Sequence, residues 1–262
     1  MRLYAKIFAR LQSLVTLKHV SIGYKKQVLA SDLNLQLEPN QVVCLLGANG
    51  CGKTTLLKTL LGLLPTLAGE ILLQNRPHFT WTQKELAQFI GYVPQVHHLF
   101  HFTVQEVVLM GRTAHLAWYS SPKQKDIAIA EQCLSTLGIA HLSQRFYHEI
   151  SGGERQLVLI ARALAQQPAF LIMDEPTSNL DFGNQIRVLE KITQLKQTGL
   201  SILMTTHQPE HSFHVADRTI LFHQGRIIAN GTPKQTLTTQ NLAKIYQLDE
   251  DVLRKNLRIS YE

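Results

Sequence analysis

The stretch GANGCGKT at positions 47–54 joins an uncharged run, Val42–Leu46, to a leucine-rich helical pattern. It matches the pattern G-x-x-x-x-G-K-[ST], whose fixed positions fall at Gly47, Gly52, Lys53 and Thr54. In such a loop the backbone N–H groups surround phosphate oxygens, the lysine reaches the β and γ phosphates, and the hydroxyl ligates Mg²⁺. The alternative is a chance glycine-rich turn, but a strand before the loop and a helix after it favour the phosphate site. We therefore predict that a nucleotide contacts the whole loop, which adds Ala48, Asn49, Gly50, Cys51 and Thr55.

Two carboxylates, Asp174 and Glu175, directly follow a second apolar run at 170–173. A carboxylate at the end of a buried strand is unfavourable unless a positive group meets it, and Mg²⁺ would supply that charge. Glu175 would then orient and polarise an attacking water molecule. Taken alone, the pair is also compatible with a simple cap on the turn before Pro176, so its interpretation depends on the phosphate loop.

The apolar runs indicate an α/β fold with parallel strands. Three uncharged runs each end at polar residues, and they lie at 42–46, 170–173 and 202–204. A helical pattern at about 184–197 connects the last two, which is a βαβ rhythm. Open parallel sheets bind ligands at their carboxyl edge. We therefore expect the phosphate loop, the carboxylate pair and His207 to converge there.

The middle of the chain, from about 103 to 167, is predicted to be mostly helical. Within it, Ser151 and Glu154 have the spacing of a capping box at a helix start. Gly152 and Gly153 between them add nothing to helix stability but allow close approach to the backbone. A helix start with exposed N–H groups attracts anions, so the chain has a second place that favours phosphate.

Composition restricts the class of protein. With 262 residues, 45% hydrophobic and 17% charged, the chain is typical of a soluble globular protein, and no run reaches the roughly 18 apolar residues that span a bilayer. The net charge of +7 comes from basic residues spread along the chain, without the cluster that nucleic-acid binding favours. We expect affinity for phosphates and lipid surfaces, and no nucleic-acid partner. Three cysteines without a pairing pattern suit a reducing cytoplasm.

These motifs together resemble the ATP-binding-cassette (ABC) ATPases, over nearly the whole chain. Beyond the loop and the carboxylates, Tyr24 matches the aromatic that stacks on adenine, and Gln95 in YVPQ matches the glutamine loop. The family signature is matched by Ser151, Gly152, Gly153 and Glu154. Asp181 in SNLD matches the D-loop, and His207 matches the switch histidine. Ile150 and Glu154 depart from the commonest signature, which has leucine and glutamine, yet they keep its apolar staple and its capping geometry.

The resemblance implies a fold and a chemistry. The fold is a single P-loop NTPase cassette over 1–262, with a mainly parallel sheet core, an N-terminal antiparallel β subdomain and a helical subdomain at about 97–167. ATP and Mg²⁺ are the implied cofactors, with catalysis by Glu175, His207 and Gln95 and metal ligation by Thr54, Gln95 and Asp174. Two copies of the chain would pair head to tail, and each signature helix would face the ATP held by its partner.

The resemblance also implies a cellular role. VVLMGRTAH and TTQNLAKIYQL resemble the importer subfamily that serves iron–siderophore, haem, cobalamin and molybdate uptake. The chain would then lie peripherally on the cytoplasmic face of the inner membrane, with separate permease subunits and a solute-binding protein. The alternative is a soluble ABC ATPase of cofactor assembly, outside transport.

Two segments leave alternatives open. Residues 1–12 place Arg2, Lys6 and Arg10 at helical spacing, which fits either a helix on a membrane surface or, as we favour, a frayed extension. The histidines of VHHLFHF, at 97, 98 and 101, suggest a metal, but no cysteine or carboxylate joins them at ligand spacing. Because the family contacts its membrane partner after the glutamine loop, we interpret Leu99, Phe100 and Phe102 as a docking surface.

Overall fold

The structure, a computed structural model, describes residues 13–25, 27–95, 101–117 and 119–256. Within these ranges the chain forms two compact units, the first from residues up to Trp81 and from Lys196 onward, the second from Thr82–Leu195. Helices and strands are numbered along the whole chain. In the part of the chain that is described, no helix has both the length and the apolar character needed to cross a bilayer.

An antiparallel sheet opens the first unit. It contains β1 (Val15–Tyr24), β2 (Gln27–Leu37), β4 (Ala68–Leu73) and β5 (Arg76–Pro77), in the order β2-β1-β4-β5. In the second of these strands Leu33, Leu35 and Leu37 stand at every other position and are all buried. This sheet is the antiparallel β region that the family resemblance implied.

A mainly parallel sheet forms the rest of the first unit's β structure. Its strands are β3 (Val42–Leu46), β8 (Ser201–Thr206), β9 (Arg218–His223) and β10 (Arg226–Gly231). β3 runs parallel to β8 on one side and to β9 on the other, and β10 turns back as a hairpin. Because Leu46 pairs with Thr206, Gly47 and His207 leave the sheet at the same edge. The expected convergence of these two segments is confirmed.

The helices of the first unit are α1 (Lys53–Leu60), α7 (Pro209–Val215), α8 (Pro233–Thr236), α9 (Thr239–Tyr246) and α10 (Glu250–Asn256). The last three of these are short helices that follow one another between Pro233 and Asn256. Leu242 and Ile245 of α9 pack into a buried cluster with Leu46 at the end of β3, and Ala48 packs against that cluster. The C-terminal helices thus support the strand that carries the phosphate loop.

The second unit combines a parallel strand pair with helices. Its elements are α2 (Gln83–Phe89), β6 (Ile90–Val93), α3 (Val104–Leu109), α4 (Gln124–Leu137), α5 (Gly152–Ala165), β7 (Phe170–Met173) and α6 (Phe182–Gln197), whose last turn passes the unit's boundary. β6 and β7 are parallel, and α3, α4 and α5 pack together. The helical character predicted for 103–167 is confirmed, whereas a separate subdomain at about 97–167 stays a prediction.

A buried arginine fixes the far end of α5. Arg112 is 4% exposed, and its Nε donates to Asp126 at 2.9 Å while its Nη1 donates to the carbonyl of Ala165 at 2.7 Å. Asp126 also accepts from the backbone N–H of Lys123, and these bonds hold the pKa of its carboxyl below the usual range. The last turn of α5 is therefore tied to the start of α4. The cap and the first residue of α5, at its opposite end, are exposed instead.

Candidate functional site

The phosphate loop lies between β3 and α1 in the first unit and closes around its own lysine. Lys53 is 5% exposed, and its Nζ donates to the carbonyl oxygens of Gly47 at 2.7 Å and Ala48 at 3.2 Å. Gly50 and Gly52 have φ values of 77° and 108°, in the left-handed region that side chains disfavour. The loop therefore holds one positive charge inside a concave stretch of backbone, an arrangement suited to phosphate.

The first turn of α1 presents backbone N–H groups to this loop. Gly52 occupies the cap position, where it has no side-chain oxygen with which to cap the helix. The helix dipole adds positive potential at the same end. Thr54 is half-buried there, while Asn49 and Gly50 are exposed at the rim. The geometry gives an anion direct access to the helix start.

Phe222, on β9, forms the floor of the loop, and the sequence analysis missed it. A Cβ placed on Gly47 would overlap the carbonyl of Phe222, and one on Gly52 would lie 3.2 Å from its ring. Both glycines of the motif are therefore needed for close packing as well as for their ligand. The strand that carries Phe222 lies some 170 residues downstream, so no local pattern in the sequence points to this contact.

Two further predicted residues belong to the first unit. Tyr24 ends β1, is 44% exposed, and precedes Lys25 with a φ of 52°, so its ring is available for stacking. His207 follows β8 at the edge where the phosphate loop also begins. Its backbone carbonyl accepts a hydrogen bond of 2.6 Å from the hydroxyl of Tyr246, which lies in the segment TTQNLAKIYQL but had no role predicted from the sequence.

The second unit brings Gln95 together with the carboxylate pair. Asp174 and Glu175, which follow β7, are 2% and 8% exposed. The amide Nε2 of Gln95 donates to Oε2 of Glu175 at 3.1 Å. The pKa of Tyr92 is raised to about 12, first by burial and then by the charge of Asp174, which indicates that the two side chains are neighbours. Gln95 and the carboxylate pair thus form one polar group.

Glu175 has an unusual backbone. Its φ is 46°, in a region where a residue other than glycine is strained by about 1–3 kcal/mol. Its carbonyl accepts from the N–H of Ser178 at 3.0 Å, which closes a tight turn after the strand. A strained, buried carboxylate that is held by an amide is the kind of group that active sites retain.

The start of α5 satisfies two of its own N–H groups, those of Ser151 and Glu154. The hydroxyl of Ser151 accepts from the N–H of Glu154 at 3.3 Å, and Oε2 of Glu154 accepts from the N–H of Ser151 at 2.8 Å. The predicted capping box is therefore confirmed. These bonds also hold the pKa of Glu154 below the usual range for a carboxyl. Ser151 and Gly152 are exposed, so a ligand or another chain can reach this helix start.

Asn184 connects the signature to the D-loop residue. A Cβ on Gly153 would overlap the amide group of Asn184 and lie 2.9 Å from its Cβ, whereas one on Gly152 would meet nothing closer than 3.9 Å. Asn184 in turn donates to Asp181 from its backbone N–H at 2.9 Å and from Nδ2 at 2.6 Å, which lowers the pKa of Asp181. Sequence reasoning missed Asn184, since it bears no motif.

The predicted residues that the structure describes therefore fall into two groups. The loop residues from Gly47 to Thr55, Tyr24 and His207 belong to the first unit; Gln95, Asp174, Glu175, Asp181 and the signature at 151–154 belong to the second. The N-terminal extension at 1–12 lies outside the described residues.

The histidine-rich segment is described only in part, because His97, His98, Leu99 and Phe100 also lie outside the described residues. The ring of His101 lies 4.9 Å from that of His148. Phe102 follows His101 in the sequence and Phe146 lies two residues before His148; each phenylalanine is 45% exposed. Among the residues that can be placed, no group of three or more histidine, cysteine or carboxylate side chains could hold a metal ion.

Comparison with known proteins agrees with this geometry. The sequence model of a family described as ABC transporter matches residues 30–178. A Haemophilus influenzae protein named as an ABC transporter ATP-binding protein is 50% identical over 245 residues, which cover 93% of each chain. The hemin import ATP-binding protein HmuV of Hahella chejuensis is 38% identical over 242 residues, which cover 89% of this chain and 93% of the relative. A solved structure described as a metal-chelate type ABC transporter in an inward-facing conformation has a TM-score of 0.80 at 34% identity, over 90% of this chain and 89% of the other.

Proposed function

Because this chain belongs to the ABC transporter family, whose ATP-binding subunits are ATPases, we propose that it energises uptake of a metal chelate through separate permease chains. The family predicted from the motifs is confirmed. The proposed cargo is of the iron–siderophore, haem, cobalamin or molybdate type. What supports this class is the likeness to the hemin import protein and to the metal-chelate type transporter.

We propose that the first unit binds the triphosphate of ATP. The N–H groups of the loop and the start of α1 would receive the phosphate oxygens, and Lys53 would exchange its two carbonyl partners for the β and γ phosphates. Tyr24, with its exposed ring, would stack on adenine.

Mg²⁺ would be held by oxygen ligands, for which the donor groups of this chain are suited. Thr54 offers a hydroxyl, Asp174 a carboxylate that is only 2% exposed, and Gln95 an amide oxygen. The nitrogen of that amide already donates to Glu175, which leaves the oxygen end for a cation. Hard cations such as Mg²⁺ prefer these ligands. When bound, the ion would neutralise charge on the phosphates.

Glu175 would orient the attacking water, and the observation that carries this role is its hydrogen bond with Gln95. The bond fixes one carboxylate oxygen, while the strained turn at Glu175 fixes the backbone. A positioned carboxylate contributes to hydrolysis by aligning water with the γ phosphate. We assign a supporting role in hydrolysis to His207, which lies at the sheet edge where the phosphate loop begins.

The signature would serve the ATP of a second copy of the chain. Ser151 and Gly152 are exposed at the start of α5, which is where a phosphate from outside the chain would arrive. Asp181, tied to the same helix start through Asn184, would lie near that contact. We therefore propose an ATP-bridged dimer on the cytoplasmic face of the membrane, together with permease subunits and a solute-binding protein.

Copurification tests the transport role. A tagged chain isolated from detergent-solubilised membranes should carry an integral membrane protein in fixed stoichiometry. Phe102→Ala, in the proposed docking surface, should release that partner, while Phe79→Ala, an 84% exposed phenylalanine of the first unit, should retain it. Both variants should keep the ATPase activity of the isolated chain. Recovery of the parent chain alone, from the soluble fraction only, would contradict the importer role and favour a soluble ATPase.

A further inference from the structure

One of the C-terminal helices is hydrogen-bonded to the segment that contains the proposed switch histidine, His207. The hydroxyl of Tyr246, the last residue of α9, donates to the backbone carbonyl of His207 at 2.6 Å. The two residues are separated by 39 positions along the chain. A short bond over this separation ties the end of one element to the loop that follows β8.

The hydroxyl of Tyr246 is suited to a permanent donor role. Burial raises its pKa, and the negative charge of Glu210 raises it further. The hydroxyl therefore keeps its proton at neutral and mildly alkaline pH. Its acceptor is a backbone carbonyl, so the bond constrains the position of the His207 backbone and does not involve the imidazole.

The position of Tyr246 is itself fixed by packing. Its neighbours Leu242 and Ile245 are each 1% exposed and lie in the cluster that contains Leu46, the last residue of β3. Gln247, with a φ of 54°, ends the helix directly after Tyr246. Tyr246 is therefore positioned by the same cluster that packs against the strand carrying the phosphate loop.

The His207 backbone has a second constraint on its other side. The hydroxyl of Thr206 accepts from the N–H of Gln208 at 3.1 Å, which forms a side-chain turn around His207. This turn sets the local shape of the loop but does not tie it to the rest of the unit. The bond from Tyr246 supplies that tie.

We propose that Tyr246 is a positioning residue for ATP hydrolysis, which places His207 relative to the phosphate loop through its backbone carbonyl. This inference rests on the proposed role of His207 in turnover. The rate contribution of a side chain that contacts the transition state is sensitive to small displacements of its backbone. The C-terminal helices are then part of the hydrolytic apparatus, although the ATPase motifs lie elsewhere in the chain.

Tyr246→Phe tests the proposal because it removes the hydroxyl and keeps the ring in the cluster. We expect the kcat for ATP to fall by roughly threefold to tenfold, the factor that corresponds to one hydrogen bond. The KM for ATP and the equilibrium affinity for nucleotide should stay within about twofold, because His207 is not assigned to ground-state binding. Tyr119→Phe, in which the altered tyrosine is 91% exposed, is the matched control and should behave as the parent.

A double-mutant cycle separates positioning from simple stabilisation. His207→Ala should lower kcat by at least about tenfold, and Tyr246→Phe should have no further effect in that background, because its action passes through His207. Thermal unfolding of all four proteins ensures that each is folded at the assay temperature. If His207→Ala is impaired while Tyr246→Phe turns over at the parent rate, or if Tyr246→Phe slows the His207→Ala enzyme by the same factor as the parent, the positioning role is wrong. If His207→Ala itself retains parent turnover, the proposed role of His207 fails, and the positioning role fails with it.

Discussion

At the scale of single residues, Glu175 is the group on which hydrolysis should depend most. Glu175→Gln removes the negative charge but keeps the shape and an oxygen that can still interact with Gln95. We expect ATP affinity to stay near the parent value and turnover to fall by roughly a hundredfold or more. Equilibrium nucleotide binding and steady-state ATPase measurements check the two halves. Glu190→Gln, at an exposed position of α6, should change neither; a Glu175→Gln enzyme with parent turnover would remove Glu175 from the mechanism.

Cys51 is the thiol that should react first. It is half-buried in the phosphate loop, and its Sγ packs against Gly47. The other two thiols are buried, and burial raises the pKa of Cys44 to about 12 and that of Cys133 to about 11. Because the thiolate is the nucleophile, both should be inert near neutral pH. A maleimide should therefore modify Cys51 and inactivate the enzyme, and Mg-ATP should protect by covering the loop.

The matched control for this reaction is Cys51→Ala. It should keep ATPase activity, since a small side chain suffices at this position, and it should lose the sensitivity to maleimide. Mass spectrometry of the modified parent should locate the label on the peptide that contains Cys51. Inactivation of Cys51→Ala at the parent rate would show that another residue is responsible.

Residues that carry motifs were predictable from the sequence, whereas residues that only support them were not. Lys53 and Ser151 stand in short patterns whose chemistry is local, and the structure places them at the predicted helix starts. Phe222 and Tyr246 act on such segments from distant parts of the chain, Phe222 through its carbonyl and its ring and Tyr246 through its hydroxyl. Long-range contacts of this kind impose no periodicity or spacing, so they leave no signal in one sequence.

At the scale of elements, the two glycines that begin α5 should differ in their tolerance of a side chain. Gly153→Ala would force its Cβ against Asn184, whose amide is held by Asp181. We expect a loss of about 1–3 kcal/mol in the free energy of unfolding, as is usual for overpacking. Gly152→Ala has open space around it and should change that free energy by no more than about 0.5 kcal/mol.

Denaturant unfolding without nucleotide measures this difference, because a partner chain then plays no part. The two variants add the same methyl group at adjacent positions of one helix turn, so each controls for the other. Equal stabilities for the two variants would mean that Asn184 moves aside freely and that Gly153 is not required by packing within the chain.

Element boundaries were predictable where the stop signal is local. Gly138 ends α4 with a φ of 77°, and the Thr103–Glu106 box begins α3; a glycine and a capping-box spacing are both visible in one sequence. In the C-terminal segment from Pro233 the helices are interrupted where Leu237 and Gln247 leave the helical conformation. Leucine and glutamine are ordinary helix residues, so neither residue type signals a break in the sequence. The short helices pack instead into a buried cluster with Leu46 of β3 and Leu221 of β9.

At the scale of the whole molecule, the two helix starts that favour phosphate differ in how complete they are. The start of α1 faces a loop that encloses Lys53, so it can hold a triphosphate within its own chain. The start of α5 has its N–H groups partly satisfied by Ser151 and Glu154, and it has an exposed surface. A helix start of the second kind is suited to complete a site that another chain provides.

Mixed dimers test this division of labour. Ser151→Arg places a bulky cation on the surface proposed to meet the partner's ATP, so it should spare nucleotide binding to its own chain and stop turnover. Lys53→Ala should instead lose nucleotide binding to its own loop. In a dimer of one chain of each kind, the loop of the Ser151→Arg chain meets the intact signature of the Lys53→Ala chain, so one composite site is complete. If one site can act alone, the mixture should recover activity that neither variant shows by itself.

Ser135→Arg, at an exposed position of α4, controls for the added charge and should behave as the parent. Mixing must be shown by mass, with one chain tagged; confirmed mixed dimers without any recovery would contradict independent composite sites.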